Sequence, residues 1–252
     1  MRSLLALPLL ASGLIALAPL PASASQPLPQ IAPVPEADID YSPARPSFDP
    51  LHLSDVTTSE AISQNDETDA LINGELTFEE FDSLPIEEQL SIAKNLELRT
   101  QDRFFYDQSD NLHFLREKAA CVILLNVDKC QDGKIAADDA VLQTIAIYGK
   151  NGGRDEPDAF RHCYWSALMT LRIDEKAAKI IGDNHEKYSA ERYEDSLKEK
   201  YEEEMEMDLF NNAQGRKIGS SLKLNPLKDL REPLASAVCH DWAGRGVLKT
   251  LD

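Results

Sequence analysis

The chain has little with which to hold nucleic acid, a redox partner or a nucleotide. Of its 252 residues only 26 are Lys or Arg against 44 Asp or Glu, a formal net charge of −18. That excess repels phosphate backbones and anionic lipid surfaces, so nucleic acid is not an expected partner. No C-x-x-C occurs, which removes the dithiol redox motif and the common zinc knuckle. There is no G-x-S-x-G elbow and no glycine-rich phosphate loop. Strand signals are scarce, and past the first twenty or so residues no apolar run approaches a membrane-spanning length.

The N-terminus is different. Arg2 precedes an apolar run from Leu4 to Leu20, and Ala22-Ser23-Ala24 supplies a small-x-small cleavage pattern. Residues 1–24 are therefore expected to be a signal peptide, cut near Ala24, leaving a secreted or periplasmic chain with no transmembrane segment. Proline recurs every few positions in QPLPQIAPVPEADIDYSPARPSFDP, so residues 25–56 are expected to form a disordered linker. Residues 57–111 read as an N-terminal helical extension and 112–252 as a helical core domain. The acidic run ERYEDSLKEKYEEEMEMD, Glu191 to Asp208, reads as a solvated surface segment.

Cys121, Cys130, Cys163 and Cys239 are an even set in an exported chain, which favours two disulfides over metal ligation. Of the three possible pairings, Cys121 with Cys130 closes a local loop. Cys163 with Cys239 would then staple the C-terminal helix to the central one.

Helical periodicity predicts an all-α fold. Segments are expected after Pro85, over Leu112 to Leu125, over Ile135 to Tyr148, from Glu156-Pro157, from the cap Asp174, through MDLFNNAQGRKIGSSL, and over Leu234 to Gly244. The fourth and fifth are joined only by Arg172-Ile173-Asp174, which makes them a central antiparallel hairpin.

The stretch DAFRHCYWSALMT, Asp158 to Thr170, crowds costly polar and aromatic residues into one helix. His162 lies about eleven residues before the turn and His185 about eleven after it, so both stand roughly 17 Å from the bend. Each lies on an apolar stripe, His162 with Ala159, Trp165, Ser166 and Met169, and His185 with Ala178 and Ile181. The two rings are expected to converge. Asp158 precedes His162 by four residues and can orient its ring. Glu186, about 100° around from His185, is expected to face a third helix. Ser189 stands where the second histidine of an H-E-x-x-H motif would be, so that motif is absent. Ser166 reads as helix filler.

In the next block Asp208, Asn212, Gly215 and Gly219 share a stripe with Asn211 at its edge. Two interior glycines each cost roughly 1 kcal/mol relative to alanine, which makes sense where another helix approaches closely. Together DAFRHCYWSALM, GDNHE and MDLFNNAQGRKIG resemble a bacterial, often exported, domain family of uncharacterised function. Its core reads D-A-F-R-H-x-x-W-x-A, H-E and M-D-L-x-N-N-x-x-G-R. The resemblance spans about residues 112–252 and implies an all-helical domain centred on these blocks, without supplying chemistry.

Two stretches mimic calcium loops, Asp69–Glu80 and Asp128–Asp139. Leu71 and Cys130 stand where an oxygen ligand belongs, and Thr77 with Glu80 is explained by a capping box. Calcium is not expected at either. The function these residues favour is an exported hydrolase with Asp158, Arg161, His162, His185, Glu186, Asp208, Asn211 and Asn212 as its catalytic set. A divalent metal held by His162, His185 and Asp208 is the cofactor it admits. The alternative is a non-catalytic domain of an envelope or secretion system whose polar core sets helix register.

Overall fold

The computed structural model describes residues 27–39, 41, 77–85, 87–89, 91, 92, 95, 112–190 and 198–251. Among these it is helical, with no strand. The expected signal peptide with its cleavage point, most of the 57–111 extension and the calcium-like stretch before Thr77 lie outside the described residues.

Helix α1 spans Phe78–Ser83 and opens on the expected capping box. The Glu80 N–H donates to Thr77 Oγ1 at 3.2 Å, and the Thr77 N–H donates to Glu80 Oε2 at 2.8 Å. Helices α2 (Leu112–Leu124) and α3 (Val127–Tyr148) follow. Helix α3 starts eight residues earlier than its periodicity suggests. The reason is local: Asn126 caps it by accepting the Lys129 N–H at 2.8 Å, and Cys130, Gly133, Ala136 and Ala140 bury one face. The calcium-like stretch Asp128–Asp139 is thus helix, with its carboxylates fanned around a cylinder instead of gathered in a loop. Gly149, at φ 72°, takes the left-handed position that ends α3.

Helix α4 (Glu156–Arg172) and helix α5 (Glu175–Ala190) form the predicted hairpin. Asp155 caps the first, with Pro157 in its opening turn. Asp174 caps the second by accepting the Ala177 N–H at 2.7 Å. Helix α4 is the centre of the domain: from Pro157 to Thr170 every residue but Arg161 is buried. It touches α3, α5, α6 (Lys198–Lys223) and α7 (Arg231–Gly244). Phe160, Leu168, Met169, Ile218, Val238 and Trp242 fill the core. Each large side chain fully buried there contributes about 1.5–3 kcal/mol.

Close approach of α6 to α4 depends on its two glycines. A Cβ on Gly219 would stand 2.6 Å from Thr170 Cβ and 2.8 Å from the Ala167 carbonyl, so the backbones meet where no side chain fits. Disulfides tie α2 to α3 through Cys121–Cys130 and α4 to α7 through Cys163–Cys239. Both are the expected pairs. Of the acidic run Glu191 to Asp208, Glu202, Glu203 and Glu206 are exposed but Met207 and Asp208 are buried, and residues 191–197 lie outside the described residues.

The proline-rich stretch is not free along its whole length. The Val34 N–H donates to Gln214 Oε1 at 2.8 Å, and Gln214 Nε2 donates back to the Val34 carbonyl at 2.9 Å. Ile39 packs on Phe210 and Ala213, while Leu28 and Ile31 pack against the main core. Lys249 pairs with Glu36. A disordered linker over 25–56 is the expectation, and of it only residues 27–39 and 41 are described. Buried Gln214 needs amide partners, and the apolar side chains between the prolines have a surface to cover.

Candidate functional site

The site is built where three helices meet on one imidazole. His162 is 5% exposed. Its Nε2 lies 3.6 Å from Asp158 Oδ1 on its own helix and 3.6 Å from Asp208 Oδ1 on α6. Its Nδ1 lies 3.4 Å from Glu186 Oε1 on α5, longer than a well-formed N–H···O bond. Three carboxylates from three helices thus surround one buried ring.

Each carboxylate is placed by its own partners. Asp158 accepts the backbone N–H of Arg154 at 2.5 Å and the Arg161 guanidinium. Arg154 sits at a positive φ of 67°, an uncommon conformation for a residue with a side chain, in the loop leading to α4. That loop is pinned from two sides. The Leu251 N–H donates to the Arg154 carbonyl at 2.9 Å, and Arg154 reaches Glu204 at 3.3 Å. Glu186 Oε1 accepts from Asn212 Nδ2 at 3.1 Å, and Asn212 Oδ1 accepts from the Ser166 hydroxyl at 3.0 Å. Asp208 is treated differently: its Oδ1 is buried and has no hydrogen-bond partner.

The electrostatics follow from this crowding. Burial pushes the Asp208 carboxyl up, the charged His162 pulls it back, and Glu186 and Asp158 add to the rise, so it titrates well above the usual range. Burial also works against a charged imidazole at His162, yet Asp208 and Glu186 outweigh it and hold its pKa up at about 9. Glu186 moves the other way, because the histidine charges and the Asn212 amide overcome its burial and depress it. Neighbouring carboxyls pushed apart in this manner are a familiar arrangement at acid–base centres.

His162 and His185 do converge, with ring centroids 6.4 Å apart. They do not share one carboxylate. His185, whose side chain is 31% exposed, turns its Nδ1 to Glu117 Oε1 on α2 at 3.0 Å. Burial lowers its pKa, Glu117 raises it, and the net direction is up. The Trp165 ring stands edge-on to His185 at 5.2 Å, and its Nε1 donates to the Gly133 carbonyl at 3.0 Å. Arg161 sits with Nη2 3.3 Å from His162 Nε2 and donates through Nη1 to the Asn151 carbonyl at 2.9 Å.

Of the eight expected catalytic residues, Asp158, Arg161, His162, Glu186, Asp208 and Asn212 are therefore in one connected cluster, with His185 at its more exposed edge. Asn211 is not. Its side chain is spent on the C-terminal tail, donating to the Lys249 carbonyl at 3.0 Å and accepting the Lys249 N–H at 2.9 Å. Among the described residues, those that offer one ligand atom each within 4.8 Å are Asp158, His162 and Asp208. The expected metal set had His185 in place of Asp158. Ser166 is more than helix filler, since it fixes the Asn212 amide. Glu117 was missed altogether, because no spacing relates α2 to His185.

Fold and site together define an all-helical domain organised around a buried histidine–carboxylate centre. Residues 120–239, which contain the whole cluster around His162, match the family model described as a domain of unknown function, DUF6973. No curated protein and no solved structure matches the chain.

Proposed function

We propose that the chain is exported and acts as a hydrolase, with the cluster around His162 as its catalytic centre. The observation that carries this reading is the convergence of Asp158, Glu186 and Asp208 on one buried imidazole at 3.4–3.6 Å. Helix packing needs no such set, and burying three carboxyl groups is costly unless they are used or fully paired. A water held among Asp158, His162 and Asp208 would pass its proton to the Asp158 carboxylate, because His162 already carries its own near neutral pH. Arg161, the partly exposed member, would meet the negative charge developing on an acyl or phosphoryl substrate. Two disulfides support export, as does the N-terminal apolar run. Among the described residues no helix is long and apolar enough to cross a membrane.

The test is a panel of chromogenic acyl esters and phosphoesters with purified protein, its His162→Ala variant and its Asp208→Asn variant. Hydrolysis by the parent that falls at least 100-fold in both variants, with helical content retained, supports the reading. Hydrolysis per folded molecule that is unchanged in both removes it.

A second reading, a non-catalytic envelope- or secretion-associated domain, is favoured by one observation. Asn212 links Ser166 of α4 to Glu186 of α5 from α6, which is what a register-fixing polar core requires.

A further inference from the structure

We propose that Asp158, His162 and Asp208 form a binding site for one divalent transition-metal ion. His162 Nε2 stands 3.6 Å from an oxygen of each aspartate, and the three donor atoms lie within 4.8 Å of one another. The two 3.6 Å separations match the edge of a tetrahedron whose centre is about 2.2 Å from its corners, the reach of zinc to imidazole nitrogen and carboxylate oxygen. Three protein ligands leave one position open for water.

A second, independent observation points into the same place. Asp208 Oδ1 is buried without a hydrogen-bond partner, although its side chain is only 8% exposed. A buried acceptor left in that state is expected to have an unseen partner. Behind the ring, Glu186 faces Nδ1, Asn212 holds Glu186, and Ser166 holds Asn212. Closed to hydrogen-bond length, that chain would be the carboxylate–histidine arrangement that keeps a proton on Nδ1, and an arriving ion would displace the other proton from Nε2. Two carboxylates and one imidazole suit zinc or manganese better than the all-oxygen preference of calcium.

Arg161 is the internal competitor. Its Nη2 contacts Asp158 Oδ1 and stands 3.3 Å from His162 Nε2, so the guanidinium supplies positive charge at the position of the ion. With its side chain 20% exposed it can turn outward, and a metal would take over its contact with Asp158.

Isothermal titration of the chelator-treated full chain with zinc chloride and with manganese chloride tests this. One equivalent of at least one ion should bind. Asp208→Asn should weaken that binding at least 100-fold, and Arg161→Met should tighten it at least tenfold. If Asp208→Asn loses its helical signal, Glu186→Gln replaces it and should weaken binding 10- to 100-fold through loss of ring orientation. The proposal is overturned if neither ion binds stoichiometrically to the parent or to Arg161→Met. It is equally overturned if the folded variant chosen binds as the parent does, which would place the ions on the acidic surface. The site deepens the hydrolase reading, yet its binding is measured without turnover. A chain that binds one ion and hydrolyses nothing retains this inference and loses that reading; a chain that hydrolyses and binds neither ion does the reverse.

Discussion

Gly215 of α6 rests directly on the main-chain carbonyl of Cys163 in α4, where any Cβ would collide. The obstacle is backbone, not the end of a flexible side chain, so relief requires the helices to separate. Gly215→Ala is expected to cost about 1–3 kcal/mol, and Gly215→Leu more, through overpacking. Urea unfolding followed by circular dichroism measures both. An alanine variant as stable as the parent would mean the helices do not approach this closely.

Asn212 distinguishes site from scaffold. Its amide serves Ser166 and Glu186 at once, so Asn212→Leu leaves two buried polar groups without a partner. A stability loss of about 1–3 kcal/mol is expected from that alone. Under the hydrolase reading, turnover per folded molecule should also drop, because Glu186 is no longer aimed at His162. A large fall in melting temperature with turnover per folded molecule unchanged would favour the structural alternative.

The disulfides differ in what they close. Cys163 and Cys239 are 76 residues apart, so by chain entropy their link should stabilise by about 4.5 kcal/mol. Cys121 and Cys130 are 9 apart, which corresponds to about 2.7 kcal/mol. Paired Cys→Ala variants should lose stability in that order. Mass spectrometry of unreduced peptides should find these two links and no others.

Asp174 should carry a pH signature. Burial raises its pKa, but the Ala177 N–H and Lys129 more than compensate, and the net shift is downward. A depressed carboxylate stabilises the fold above its unfolded pKa of about 3.9, and that contribution is lost as pH falls through the lower folded value. Asp174→Ala should therefore cost about 1 kcal/mol near neutral pH, as N-cap losses do. The gap to the parent should close below about pH 4. A gap independent of pH would remove this assignment.

Gln214 should govern the N-terminal strap. Its amide holds both backbone groups of Val34. Gln214→Leu should increase protease cutting within residues 27–41 while the disulfide-linked domain stays intact. Equal cutting rates in both proteins would show that the apolar contacts of Leu28, Ile31 and Ile39 suffice.

Sequence by itself determined whatever is local or periodic. The all-helical fold, the caps at Thr77 and Asp174, and the hairpin that sets His162 level with His185 follow from helical rise, capping chemistry and the short link Arg172-Ile173-Asp174. Both disulfides were legible for a related reason, since an even set of cysteines and one short loop left a single sensible partner for the rest. The glycine stripe of α6 announced a close approach, although not that Cys163 would be its target. Only the tertiary structure decided which groups meet across helices. Spacing within one helix says nothing of the rotation at which another arrives. So Asp158 rather than His185 joins His162 and Asp208, Glu117 claims His185 from α2, Ser166 steadies Asn212, and Asn211 turns to the tail at Lys249. The proline-rich strap was hidden likewise, because its composition reports a preference for extended backbone and not the buried amide of Gln214 that holds it.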